Sequence, residues 1–257
     1  MSEKLIFVSC GQHTDEEKSI GAAVKSLIDN TPGFKAYFAE TVHDLDALAA
    51  NIFYALRDCS GLIAILHDRG LVKKPDGQDW GHRSSVWINQ EIAILAYRQR
   101  VEGISIPIPI LVFKEDIVEL EGAMTQLIVN PLPFRPQEET LVQVHDWLES
   151  RHFPSSSEVR HEIFSENWSQ LSTEALHVIA ALIDLGGENV KRDAVRRRLQ
   201  QRYNYNKNDA SGALRNALGE FINTELVKLI PNTHSGDELS VNPTWRWHIE
   251  RAIRESK

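Results

Sequence analysis

The stretch GLIAILH, Gly61 to His67, constrains the fold of this chain more than any other segment. Its apolar residues run on without alternating with polar ones. A strand built from them has two faces to remove from water, so it must lie inside a sheet covered by helices on both sides. The segments around it agree. LIFVSC (Leu5 to Cys10), FKAYFAE (Phe34 to Glu40), IPIPILVF (Ile106 to Phe113) and LIVNPLPF (Leu127 to Phe134) read as further strands. Amphipathic stretches separate them. One begins with Thr14 and Glu17 at capping-box spacing and carries Ile20, Val24, Leu27 and Ile28 on one face. Another runs from about Leu45 to Arg57. Strand and helix alternating about five times predict an open, mostly parallel, flavodoxin-like α/β sheet. Sheets of this kind place ligands at the carboxyl ends of their strands. That rule directs attention to Ser9–Gln12, Ala39–Thr41, His67–Arg69 and the helix that follows the polar loop DRGLVKKPDGQDWGHR.

The pattern changes after residue 150. FPSSSEVRHE has the Pro/Ser composition of a connector. Beyond it come a capped helix at STEALHVIAALIDLG, two more at KRDAVRRRLQQR and NDASGALRNALGEFINTELV, a hairpin at KLIPNTHSGDELSV and a last helix at TWRWHIERAIRE. The expected organisation is an α/β domain over 1–152, a linker over 153–164 and a smaller, mainly helical, winged-helix-like domain over 165–257. Charge divides the same way. The net charge of −8 is carried by the first 164 residues, with 15 Lys+Arg against 24 Asp+Glu, whereas the remainder holds 13 against 12. A chain so balanced has no blanket affinity for nucleic acid. Two cysteines, Cys10 and Cys59, without zinc spacing argue against a disulfide framework or a structural metal. No apolar run is long enough to span a membrane, and the N-terminus lacks a secretory core, so a cytoplasmic location is expected.

Within RSSVWINQEIAIL (Arg83 to Leu95), Val86, Ile88, Ile92, Ala93 and Leu95 supply an apolar helix face. Glu91 lies one turn beyond Trp87, and Ile94 and Leu95 stand where a pairing cation would be. A carboxylate in that position is a solvated surface group, or it is used. The first loop, Ser9-Cys10-Gly11-Gln12, offers small residues and backbone N–H groups to a phosphate or ribose. Glu40 and Arg69, at strand ends, are second-tier contacts. With no histidine partner evident in the sequence, Cys10 reads as an inert thiol.

IFVSCGQ, YFAE, GLIAILH and SSVWINQE, in that order over roughly residues 4 to 135, resemble the Toll/interleukin-1 receptor (TIR) domains. The chain departs from that pattern in its long loop from Arg69 to Arg83 and in its Cys-Gly-Gln first loop. The resemblance implies an NAD nucleosidase in which Glu91 is catalytic and Ser9, Cys10, Gly11, Gln12, Glu40, Arg69 and Trp87 bind substrate. It also implies NAD as substrate with no resident cofactor or metal, a role in anti-phage defence, and activity gated by self-association or an activating partner. The chemistry suits a lone carboxylate: nicotinamide departs as a neutral molecule, so the second, acidic group of ordinary glycosidases is dispensable. The rivals are a nucleoside deoxyribosyltransferase-like N-glycosidase, with Glu91 as nucleophile, and a non-enzymatic nucleotide-sensing regulator or adaptor. In the C-terminal part, Lys191, Arg192, Arg196, Arg197, Arg198 and Arg215 are candidate contacts for phosphates or for a protein partner.

Overall fold

The computed structural model describes residues 3–39, 45–100, 105–128, 130–231 and 237–255. It divides into two compact units, 1–162 and 163–257. The first contains β1 (Lys4–Cys10), α1 (Asp15–Asn30), β2 (Phe34–Phe38), α2 (Leu45–Asp58), β3 (Gly61–Leu66), β4 (Leu71–Lys73), β5 (Asp79–His82), α3 (Val86–Arg100), β6 (Ile110–Lys114), α4 (Met124–Leu127), β7 (Leu132–Pro133) and α5 (Gln137–Ser150). Five of the strands form one parallel sheet in the order β2-β1-β3-β6-β7. This is an open, flavodoxin-like α/β arrangement.

All six residues of β3 are buried, as an uninterrupted apolar strand requires. Its side chains alternate between two cores. Leu62, Ala64 and Leu66 pack with Phe7, Val112, Leu56 and the α3 residues Ile88, Ile92 and Leu95. Ile63 and Ile65 pack with Ile6, Val8, Phe113, the α1 residues Ile20, Val24 and Ile28, and Val144, Trp147 and Leu148 of α5. Burying each such side chain contributes about 1.5–3 kcal/mol before the entropy of ordering it. The Thr14–Glu17 capping box is formed at the start of α1.

Several expectations need correction. The fifth strand shrinks to Leu132–Pro133, because Met124–Leu127 turns helical first. The supposed loop from Arg69 to Arg83 is an antiparallel hairpin, β4–β5, turning at the Asp76-Gly77 pair with Gly77 at φ +84°. Val86, assigned to the apolar face of α3, is 65% exposed, whereas Ile88, Ile92 and Leu95 of that face are buried. The presumed linker is largely helix α6 (Ser156–Ser169). Ser155 and Glu158 cap its start reciprocally: Ser155 N–H donates to Glu158 at 2.7 Å, and Glu158 N–H to Ser155 Oγ at 3.2 Å.

The second unit continues with α7 (Thr173–Asp184), β8 (Val190–Lys191), α8 (Arg192–Tyr203), α9 (Lys207–Thr224), β9 (Val227–Ile230), β10 (Glu238–Val241) and α10 (Arg246–Glu255). The antiparallel order β8-β10-β9 beside three helices is the winged-helix arrangement. Its core joins Val178, Ile179 and Leu182 of α7, Leu199 of α8, Phe221 of α9 and Leu239 of β10. Among the described residues no helix is long and apolar enough to cross a membrane.

Gly21 of α1 lies directly beneath the Phe38 ring of β2, leaving no room for a Cβ. Gly21→Val is therefore expected to cost about 1–3 kcal/mol in urea unfolding, through overpacking of that contact. Unchanged stability would mean the ring moves aside freely.

Candidate active site

The chain turns to opposite sides of β1 to make β2 and β3, and this switch point opens a crevice at the carboxyl end of β1. A cavity of about 480 Å³ occupies it. That volume suits a nucleotide-sized ligand. Its lining includes seven of the expected site residues: Ser9, Cys10, Gly11, Gln12, Arg69, Trp87 and Glu91. Glu40 lies outside the described residues. Residues not anticipated from sequence complete the walls, chiefly Phe7, Phe38, Ile52, Phe53, Ile88 and Ile94. Some were findable: α3 positions 87, 88, 91 and 94 share one face by helical periodicity. Trp87 and Phe53 are 70% and 57% exposed, so the cavity has aromatic rings at its edge.

Strand alternation explains which groups meet. Phe7 faces the α3 side of the sheet, so Ser9, two residues on, faces it as well. Ser9 Oγ donates to Glu91 Oε2 in a short hydrogen bond. Glu91 is thus half-buried and, among the described residues, has no ion pair. Burial pushes its carboxyl up to about 7, and the Ser9 hydrogen bond only partly opposes this. The Tyr37 hydroxyl is also held above its ordinary range, first by burial and then by the neighbouring Glu91 charge.

Cys10 points the other way, toward α1. The histidine partner missed in the sequence is His67, whose Nε2 stands 3.8 Å from Cys10 Sγ and whose Nδ1 meets Glu115 Oε1 at 2.9 Å. This grouping does not activate the thiol. Burial, reinforced by the Glu17 charge, drives Cys10 up to about 12, so it stays protonated at neutral pH. Cys10 lines the cavity without serving as its nucleophile.

Arg69 does not offer a free charge. Its guanidinium grips Glu17 with two contacts, Nη1 to Oε1 at 2.5 Å and Nη2 to Oε2 at 2.9 Å. The His13 and Thr14 N–H groups donate to the same carboxylate at 2.6 and 3.2 Å. Burial opposes ionisation of Glu17, but Arg69 and those N–H groups outweigh it and hold the carboxyl below its usual range. Gly11 packs against this pair; a Cβ there would overlap the Arg69 guanidinium and approach Glu17 Oε2 to 2.6 Å. Among the described residues no His/Cys/Asp/Glu group is arranged to hold a metal ion.

The basic positions of the second unit separate. Lys191, Arg192, Arg196 and Arg215 line one cleft. Arg197 is exposed away from it, and Arg198 pairs with Asp184 at 2.9 Å, an acid it shares with Arg202. Of these six candidate contacts, Arg192, Arg196 and Arg198 are ion-paired.

No family model matches the chain, and no curated protein matches it. Solved structures resemble it weakly. A conserved protein from Enterococcus faecalis V583 is 12% identical with a TM-score of 0.39, over 57% of this chain and 99% of that one. A structure of Drosophila ORC bound to AT-rich DNA and Cdc6 is 13% identical with a TM-score of 0.31, over 99% of this chain and 87% of that one. Likeness at this level carries neither family nor activity to this protein.

The raised carboxyl has a consequence for stability. Folded protein keeps the Glu91 proton up to about pH 7, whereas an exposed glutamate releases it near the ordinary value of 4.5. Between those values the folded state binds more protons than the unfolded state. Stability therefore falls as pH rises through that window and levels off above it. Glu91→Gln should match the parent near pH 5 and exceed it by roughly 1–3 kcal/mol at pH 8 in chemical unfolding. Identical pH dependence of the two proteins would show that Glu91 does not titrate there.

Proposed function

We propose that the first unit is a TIR-like N-glycosidase that cleaves the nicotinamide–ribose bond of NAD. The observation that carries the reading is Glu91: among the described residues, the one carboxylate lining an apolar cavity at the switch point of a parallel sheet, held by Ser9 and without an ion pair. In the reaction the C1′–N bond breaks with its electron pair going to the nicotinamide ring. The ring leaves neutral, and water adds to C1′ with loss of a proton. Glu91, once ionised, stabilises positive charge developing on the ribose and accepts a hydrogen bond from a ribose hydroxyl or the incoming water. Ser9 orients the carboxylate. Trp87 and Phe53 offer faces against which a base or nicotinamide ring can stack. The apolar walls exclude competing water and strengthen the electrostatic contribution.

One observation favours a second reading. Among the described residues Arg69 is the one cation lining the cavity, and it is already neutralised by Glu17. A pocket without a free cation suits a nucleoside better than a diphosphate. The deoxyribosyltransferase-like alternative, with Glu91 attacking C1′, follows from that.

The test is chromatographic: purified protein with NAD, then with deoxynucleosides in the presence of an acceptor base, with and without added nucleic acid as activator. Release of nicotinamide that rises with pH through about 7 is expected, since the ionised carboxylate is the working form. Glu91→Ala and Glu91→Gln should each lower it by about 10²–10⁴-fold. Turnover of deoxynucleosides alone selects the second reading. Intact substrate under every condition, or full activity in the Glu91 variants, overturns both.

A further inference from the structure

The second unit holds a cleft of about 510 Å³ between the start of α8, the middle of α9 and the approach to β10. Four cations line it, Lys191, Arg192, Arg196 and Arg215, against two acids, Asp193 and Asp237. The acids are already committed. Asp237 pairs with Arg192 at 3.1 Å, and Asp193 with Arg196 at 2.8 Å. Lys191 and Arg215 are exposed and have no ion pair among the described residues. Two positive charges are therefore left uncompensated in one concavity. This happens in a unit whose residues otherwise nearly cancel, with 13 bases against 12 acids beyond residue 164.

That contrast matters. Elsewhere on α8, Arg198 and Arg202 both close on Asp184 at the end of α7, which they hold below its ordinary range against the effect of burial. Arg197 is exposed alone outside the cleft, whereas within it Lys191 and Arg215 face the same concavity. The carboxylates beside Arg192 and Arg196 also fix those guanidinium planes, so the donors not facing the acids are pre-oriented at the wall. Pre-oriented planar donors flanked by two mobile charges form a receptor for a tetrahedral oxyanion.

We propose that this cleft binds phosphate groups, from either a nucleic-acid backbone or a free nucleotide, through Lys191 and Arg215 with Arg192 and Arg196 as oriented donors. The site is independent of Glu91 and stands or falls apart from the glycosidase reading.

The test uses the full chain and two probes, a short labelled DNA duplex and ATP, each titrated over a salt series. The variant Lys191→Ala/Arg215→Ala is compared with Lys228→Ala/Arg254→Ala, which removes the same charge at exposed positions outside the cleft. All four side chains are exposed, so folding is retained. At least one probe is expected to bind the parent. The cleft variant should weaken binding about tenfold or more, and for the duplex it should reduce the slope of log affinity against log salt by about 2. The control should stay with the parent. Binding of the duplex alone identifies the backbone as the source, and binding of ATP identifies a free nucleotide. Failure of both probes at low salt, or equal loss in the two double variants, overturns the assignment.

Discussion

Everything in the first unit depends on β3 being buried on both faces. A strand with no polar face needs a helical layer on each side, so the flanking segments must cross over rather than fold back as hairpins. Those crossovers make the neighbouring strands parallel and bring their carboxyl ends to one edge. The alternation of side chains then sorts the chemistry at that edge. Ser9 falls on the α3 side with Glu91; Cys10, His67 and Glu115 fall on the α1 and α5 side. One residue of register separates the group that works with the carboxylate from the group that does not.

Two glutamates near the same cavity show how environment assigns roles. Glu17 is buried and Glu91 half-buried, and burial pushes both carboxyls up. Glu17 meets a guanidinium and two backbone N–H groups, which reverse the effect of burial. Glu91 meets one hydroxyl, which does not. Keeping a carboxyl in an apolar wall without a cation costs free energy that a purely structural residue would avoid. The two carboxyls are displaced in opposite directions, Glu17 below its ordinary range and Glu91 above it.

Much of this was legible in the sequence because it is local. Hydrophobic periods mark the strands and helices, Thr14 and Glu17 mark a cap, and the rule that ligands sit at the carboxyl ends of the strands points to the segments that line the cavity. What was not legible depends on distance or on short signals. The contact between Cys10 and His67 joins residues 57 apart and needs the β1–β3 register, which periodicity does not supply. The partners of Arg192 and Arg198 lie 45 and 14 residues away, so a basic run looked freer than it is. Strands of three and four residues in the hairpin are too short for alternation to show. The segment 153–164 was misread for a different reason. Its prolines and serines suggested a connector, although Ser155 and Glu158 already spelled a capping box.

Glu17 fills several places at once: it caps α1, receives the first loop through His13, and holds Arg69 at the base of the hairpin, while Gly11 leaves the room in which that pair fits. In evolutionary terms, positions 11, 17 and 69 are one character rather than three. A side chain at 11 collides with the pair, a shorter residue at 17 takes away the partner of Arg69, and an uncharged residue at 69 leaves a carboxylate buried with only backbone donors. Each single step is worse than the starting point or the combined change. The rim of the cavity can therefore drift only by concerted replacement, whereas its apolar walls can vary one residue at a time.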